Sequence, residues 1–201
     1  MEARVLSSLI EKEITTPEYY PLSLNALVNA CNQKSNRDPA VSYDESTVLQ
    51  AIDLLRNKGL VTTITGAGSR VPKYSHRFSE KLNLGRREIA ILCELMLRGP
   101  QTVGELKNRA ERLHRFNDLA EVESLLDRMT EFVVRLARRT GEKESRYGHL
   151  FSGPVDNSEP EATAPGGRAD RIGTLEAEVG QLRGEMDDLK RQFADFRRQF
   201  E

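Results

Sequence analysis

Apolar residues recur every three or four positions in several segments of residues 1–151, and short runs rich in β-branched residues follow them. After Asp44, for example, Val48, Ile52 and Leu55 share one helical face, which predicts a helix that ends at Gly59. Next come the runs LVTTIT and RVPKYSH, separated by GAGS, a pattern typical of two strands joined by a glycine turn. The order predicted is helix, helix, helix, hairpin.

The same order occurs twice along the chain. PLSLNALVNA resembles PQTVGELKNRA, and DESTVLQAIDLLRNKGLV resembles DLAEVESLLDRMTEFVV. Three helices followed by a two-stranded hairpin are typical of a winged helix. The sequence therefore predicts a mainly α fold with small β-hairpins (α+β), built from two tandem winged-helix domains, 1–84 and 85–151. Helix caps are predicted at Ser42, Thr102 and Asp118, each followed three positions later by a glutamate.

The first copy is longer than the second between its second and third helices, where the segment NACNQKSNRDP lies at residues 29–39. This insertion lengthens the turn of the helix-turn-helix. Two interpretations stay open. Its Asn and Ser side chains hold the turn through hydrogen bonds to their own backbone, or its amides and cations touch a phosphate backbone.

Three long strings resemble the YceH family of bacterial proteins: LIEKEITTPEYYPLSLNALVNACNQKSNRDP, LCELMLRGPQTVGELKNRAERLH and RYGHLFSG. The resemblance covers residues 1 to about 153 and implies a tandem winged-helix fold with a surface of the DNA-binding type. It implies no catalytic residues, because the biochemical role of that family is unassigned.

Charge gives little support to an automatic nucleic-acid assignment. Residues 1–84 carry 10 basic and 9 acidic side chains, and residues 85–151 carry 13 basic and 11 acidic ones. Residues 152–201 are acidic, with 7 basic and 11 acidic side chains. Since non-specific DNA binding depends on clustered Lys and Arg, DNA contacts are expected only where cations collect locally.

Motifs for catalysis, metals or cofactors do not stand out. GAGS lies between two strands rather than opening a helix, so it predicts a wing turn and not a phosphate loop. The three histidines share no metal-ligand spacing, and Cys31 and Cys93 lie on apolar helical faces as expected for buried, unreactive thiols. The sequence predicts a non-enzymatic protein without cofactor or metal. The start MEARVLSSLIEKE lacks the apolar region of a signal peptide, which indicates a cytoplasmic protein.

The predicted DNA-contacting residues lie in the inserted turn, the third helix and the wing of the first copy. They are Asn32, Gln33, Lys34, Asn36, Arg37, Gln50, Arg70, Lys73 and Arg77. KNRAERLHR in the second copy adds cations at Lys107, Arg109, Arg112 and Arg115. The third helix of that copy is acidic, which favours a protein contact there. Two functions are therefore predicted: a DNA-binding, regulator-like protein, or alternatively an interaction scaffold of winged helices.

The C-terminal residues have their own pattern. Residues 152–170 are rich in Pro and Gly and predict a flexible linker. Residues 171–201 carry apolar residues at every a and d position of a heptad repeat, which predicts a coiled-coil helix that forms a parallel homodimer; the alternative is a helix docked on its own domain. The heptad positions are Ile172, Leu175, Val179, Leu182, Met186, Leu189, Phe193, Phe196 and Phe200.

Overall fold

A computed structural model of the chain describes residues 1–65, 71–138, 141, 144–153 and 186. Residues 1–157 form one compact unit and residues 158–201 a second, of which Met186 is described. In the first half of the larger unit the order is helix, helix, helix, hairpin. Its elements are α1 (Glu2–Thr15), a 3-10 turn (Pro17–Tyr19), β1 (Leu22–Ser23), α2 (Leu24–Cys31), α3 (Glu45–Asn57), β2 (Val61–Ile64) and β3 (Lys73–His76).

The second half repeats this order, which confirms the predicted α+β class and the sequence of elements. A short connecting helix, α4 (Phe78–Leu82), comes first. It is followed by α5 (Arg86–Arg98), α6 (Val103–Ala110), α7 (Leu119–Arg128), β4 (Val133–Arg135) and β5 (Tyr147–His149). The predicted linker and coiled coil lie outside the described residues, except for Ser152, Gly153 and Met186.

The sheets extend the likeness between the halves beyond what the sequence predicts. The first sheet has the antiparallel order β1-β3-β2, with Leu22 opposite Tyr74. In the second half β4 pairs with β5, and Gln101 forms an isolated antiparallel bridge with Tyr147. Gln101 therefore occupies the place that Leu22 has in the first half. A strand of one or two residues is too short to show the alternation of apolar and polar positions by which a strand is predicted from sequence.

The helix caps agree with the sequence at two of three predicted places. Thr102 forms a complete capping box with Glu105, and the Asp118 carboxylate accepts a hydrogen bond from the Glu121 amide at 2.8 Å. At α3 the prediction of a Ser42 cap is wrong. Asp44 is the N-cap and accepts from the Thr47 amide at 2.8 Å. Aspartate at this position supplies the same acceptor two residues further along the chain.

The two halves of the larger unit share one apolar core, in which α1 packs against α5. Leu9 and Leu92 are both completely buried. Cys31 and Cys93 are buried free thiols, as predicted, and burial raises the pKa of both. The Cys93 thiol lies 3.4 Å from the Ser7 carbonyl oxygen, across the contact between the halves.

Two buried carboxylates, one from each half, lie in this contact. Glu11 of α1 forms a bidentate pair with Arg37, in which the Arg37 Nη1 lies 3.1 Å from the Glu11 Oε1. Glu94 of α5 pairs with Arg98 at 3.0 Å. Arg112 bridges the two carboxylates: its Nη2 lies 2.5 Å from the Glu11 Oε1 and 3.3 Å from the Glu94 Oε1. We call these five side chains the junction cluster.

The two carboxylates have pKa values displaced in opposite directions. Burial alone would raise the pKa of Glu11, but the hydrogen bonds and charge of Arg37, with Arg112, outweigh burial and lower it. For Glu94 burial dominates over Arg112 and Arg98, and the pKa is raised. Arg37 thus makes the ionised state of Glu11 tolerable inside the protein.

Removing Arg37 is expected to destabilise the fold strongly. Arg37→Ala leaves the fully buried Glu11 with Arg112 at 2.5 Å and Lys12 at 4.0 Å, and breaking such a buried pair costs roughly 3 to 5 kcal/mol. Urea unfolding followed by circular dichroism measures the change in the free energy of unfolding.

The matched control is Arg115→Ala, since the Arg115 side chain is 86% exposed and lies 4.0 Å from Glu111. The control should change the free energy of unfolding by less than about 0.5 kcal/mol. Equal effects of the two variants would contradict the role of the cluster.

The cost of Arg37→Ala should depend on pH. Because the folded-state pKa of Glu11 is lowered, its stabilising pair with Arg37 is fully present above the unfolded pKa of about 4.3. It is lost as pH falls through the lowered folded value. The difference in unfolding free energy between parent and variant should therefore be constant near neutrality and shrink in acid. The contribution of Glu94, of opposite sign, is common to both proteins. A difference that grows on acidification would contradict this assignment.

Candidate nucleic-acid interface

The inserted turn between α2 and α3 is held by its own side chains. The Asn32 amide nitrogen donates to the Tyr43 carbonyl at 2.7 Å, and the Asn32 oxygen accepts from the Tyr43 amide at 2.8 Å. This pair of bonds closes the loop directly before α3. Asn36 has a φ of 59°, in the left-handed region that Asn tolerates better than most residues. The turn therefore has a defined shape.

Within the C-terminal part of the turn, the Arg37 side chain is directed into the protein. The prediction that Arg37 contacts DNA is wrong for this conformation, because its guanidinium is fully buried against Glu11. Arg37 also bonds the Ala30 carbonyl at 3.0 Å and the Gln33 side-chain oxygen at 3.1 Å. The Asn36 side-chain oxygen accepts from Arg98 at 2.5 Å. Arg37 and Asn36 therefore hold the turn against α1 and α5.

The other predicted contacts are distributed unevenly. Lys34, Gln50 and Lys73 are exposed, on the turn, on α3 and at the start of β3 respectively. Arg77 is exposed but pairs with Glu80 at 2.9 Å. Arg70 lies outside the described residues. The structure thus leaves Lys34 and Lys73 as exposed cations of the predicted set for which no ion pair is found within the described residues.

Helix α3 has one face in the core and one in solvent. Val48, Ala51, Ile52 and Leu55 form the buried face. The opposite side carries Gln50, Asn57 and an exposed ion pair between Asp53 and Arg56 at 3.4 Å. Amide side chains can read base edges, whereas the aspartate repels phosphate and partly neutralises the arginine.

The first hairpin is fastened to α1 beside this face. The His76 Nδ1 accepts from the Phe78 amide at 3.2 Å, so its Nε2 carries the proton that points to Glu13, 2.8 Å away. The Tyr20 hydroxyl accepts from the His76 amide at 2.7 Å, and burial raises the pKa of Tyr20 to about 12. The base of the hairpin is therefore fixed relative to α1.

The second half presents a different surface. Glu123 and Asp127 are exposed on α7, and the facing hairpin carries the exposed Arg135 and Arg138. A groove of about 270 Å³ lies between these elements. The two arginines were missed in the selection of contact residues, although the run VVRLARRTGEKESRYG with its five basic residues was a visible signal.

The basic string KNRAERLHR does not form one cationic surface. Arg112 belongs to the junction cluster, and Arg109 bonds Gln101 at 2.9 Å and Glu105 at 3.2 Å. Lys107 and Arg115 remain beside a shallow depression that also contains Glu111. A sequence signal for the cluster itself was Glu94, a carboxylate inside the apolar run IAILCELML.

Within the described part of the chain, no three His, Cys, Asp or Glu side chains converge as metal ligands would. None of the helices described here combines the length and the apolar character needed to cross a membrane.

Comparison with known proteins places the chain in a family. Residues 1–142 match the family described as "Protein of unknown function, DUF480". A UPF0502 protein of Solibacter usitatus is 58% identical over 184 residues, which cover 89% of each chain. A UPF0502 protein of Citrifermentans bemidjiense is 56% identical over 186 residues, covering 89% of this chain and 86% of its own. The chain therefore belongs to the DUF480 family, which includes these bacterial UPF0502 proteins and has no assigned function.

Proposed function

We propose that the protein binds double-stranded DNA through its first half, as a non-enzymatic, cytoplasmic, regulator-like protein with two winged-helix domains. The order of helix, helix, helix and hairpin in each half supports this reading, because in winged helices the third helix enters the major groove beside the hairpin. The observation that carries the proposal is the solvent face of α3. It presents Gln50 and Asn57 on a helix whose other side is locked in the core.

Electrostatics limit the strength of this binding. Lys34 and Lys73 are the exposed, predicted cations for which no ion pair is found within the described residues, while Asp53 and Glu45 lie on α3 itself. Few phosphate contacts imply modest non-specific affinity. Discrimination between sequences then depends on base contacts, for which the Gln50 amide is the best-placed side chain.

Replacing both lysines tests this assignment. Lys34→Ala with Lys73→Ala removes two phosphate contacts, so the slope of log K against log salt should fall by roughly 1.8, at about 0.9 per contact. Fluorescence anisotropy with a labelled duplex over a series of salt concentrations measures it. Thermal stability should stay nearly unchanged, since exposed charges contribute little to folding.

The matched control is Arg115→Ala with Arg128→Ala, which removes two exposed cations from the second half. Its salt slope should equal that of the parent. Absence of duplex binding by the parent at low salt would refute the proposed function, and an equal loss of slope in both double variants would refute the assignment to the first half.

A second function, a protein-interaction scaffold, has one specific observation in its favour. The exposed side of α7 carries Glu123 and Asp127, and Glu131 lies in the turn that follows; a helix with this charge opposes entry into a DNA groove. The two functions are compatible in one chain if the first half contacts DNA and the second contacts protein.

We further propose that the chain forms a parallel homodimer through the heptad repeat of residues 172–200. Apolar residues at all a and d positions support it, and two linked copies would place two DNA-contacting halves on one duplex. Sedimentation should show a dimer for the full chain and a monomer for residues 1–153. The same state for both proteins would contradict the coiled coil.

A further inference from the structure

The groove in the second half is formed by three elements of unlike character. The first turns of α6 and α7 make one side, and the hairpin β4–β5 makes the other. Val103, Gly104, Leu119 and Glu123 line the helical side, while Arg135 and Arg138 line the hairpin side. A volume of about 270 Å³ is enough for a few side chains and too small for a folded domain. It suits a protruding segment of another protein.

The helical wall is acidic along its length. Glu123 and Asp127 lie four residues apart, on neighbouring turns of one face of α7, and Glu131 lies in the turn after the helix ends at Arg128. All three are exposed, and no ion pair of theirs is found within the described part of the chain. Three uncompensated carboxylates repel phosphate and attract Lys and Arg.

The hairpin wall also contains a carboxylate, Glu144, but its described lining residues are net positive because Arg135 and Arg138 outnumber it. Arg135 and Arg138 are exposed, and no ion pair within 4.0 Å joins them to α7 in the part of the chain that the structure describes. The walls are close enough for their charges to act on one side chain between them. The pKa of Tyr147 is raised by burial, lowered by Arg135, and raised by Asp127 and Glu123. A groove with walls of opposite sign attracts an occupant of mixed charge and fixes its orientation.

The mouth of the groove has one apolar edge. Leu119 is 50% exposed at the start of α7, although a leucine at a helix N-terminus gains nothing from solvent. Next to it Gly104 leaves free space, because a Cβ atom built on it meets no atom within 4 Å. An aliphatic side chain of a partner can therefore enter between Leu119 and the α6 backbone.

We propose that this groove binds a short segment of a partner protein that carries an aliphatic anchor, with basic residues on the side facing α7. The anchor packs on Leu119, and the basic residues pair with Glu123 and Asp127. Acidic or carboxylate groups on the opposite side of the segment meet Arg135 and Arg138. Duplex DNA does not fit, since its uniform negative charge would face the carboxylates of α7. This assignment goes beyond the DNA-binding proposal and does not depend on it.

Selection from random peptides displayed on phage tests the proposal with the full chain as bait. The enriched peptides should be basic and contain a Leu, Ile, Val or Met, and a synthetic copy should bind in a fluorescence anisotropy assay. Glu123→Lys with Asp127→Lys should weaken that binding by about tenfold or more, because like charges then face each other. The matched control, Glu45→Lys with Asp53→Lys on α3, changes the net charge equally and should bind within about twofold of the parent.

A steric variant separates the groove from general surface charge. Gly104→Leu fills the free space on α6, favours the helix and leaves every charge in place. It should abolish binding of the selected peptide while its circular dichroism and thermal midpoint match or exceed those of the parent.

Three results would overturn the assignment. One is the absence of any peptide enriched over an unrelated bait. Another is a selected peptide whose binding survives both Gly104→Leu and the double reversal on α7. The third is displacement of the peptide by unlabelled duplex DNA at a concentration that leaves the free peptide unbound in the absence of protein, which would place the nucleic acid on this surface. Loss of DNA binding by the parent leaves the first two readouts unaffected.

Discussion

The rest of the structure depends on the burial of two carboxylates, Glu11 and Glu94, between the halves of the larger unit. An ionised carboxylate inside a protein requires a cation with good geometry, and Arg37, Arg98 and Arg112 supply it from three different segments. Replacing such a cluster by apolar residues is often neutral for stability. We therefore assign the junction cluster a role in specifying one arrangement of the segments, while the apolar contact of α1 with α5 supplies the main driving force.

This arrangement explains why the inserted turn is rich in polar residues. Arg37 reaches back to α1, and Asn36 reaches forward to Arg98 of α5. The Asp38 amide donates to the Leu97 carbonyl at 3.0 Å, so the backbone of the turn also caps the end of α5. The turn before α3 is thus held by both halves. The position of the α3 surface consequently depends on the second half, even though that half has an acidic third helix of its own.

Sequence periodicity was sufficient for the order of helices and strands, because each long element has its own period and the repeat doubled the signal. It failed at short features, such as the cap at Asp44 and the bridge at Gln101. It also failed for Arg37. The residues around Arg37 in the sequence do not show that its guanidinium forms an ion pair with a buried carboxylate 26 positions earlier. Glu94 within an apolar run was the available hint, but its partner Arg112 lies in the turn after α6, and their contact becomes visible only in three dimensions.

We expect the two halves to unfold as one cooperative unit, held by the junction cluster and the contact of α1 with α5. Urea unfolding of residues 1–153, compared with the separate fragments 1–84 and 85–153, tests it most directly. Residues 1–153 should show one transition, and each fragment should be unfolded or far less stable, because separation exposes the faces of α1 and α5 and leaves Glu11 without Arg112. Two fragments that each unfold cooperatively, at the midpoints seen in the intact unit, would contradict it.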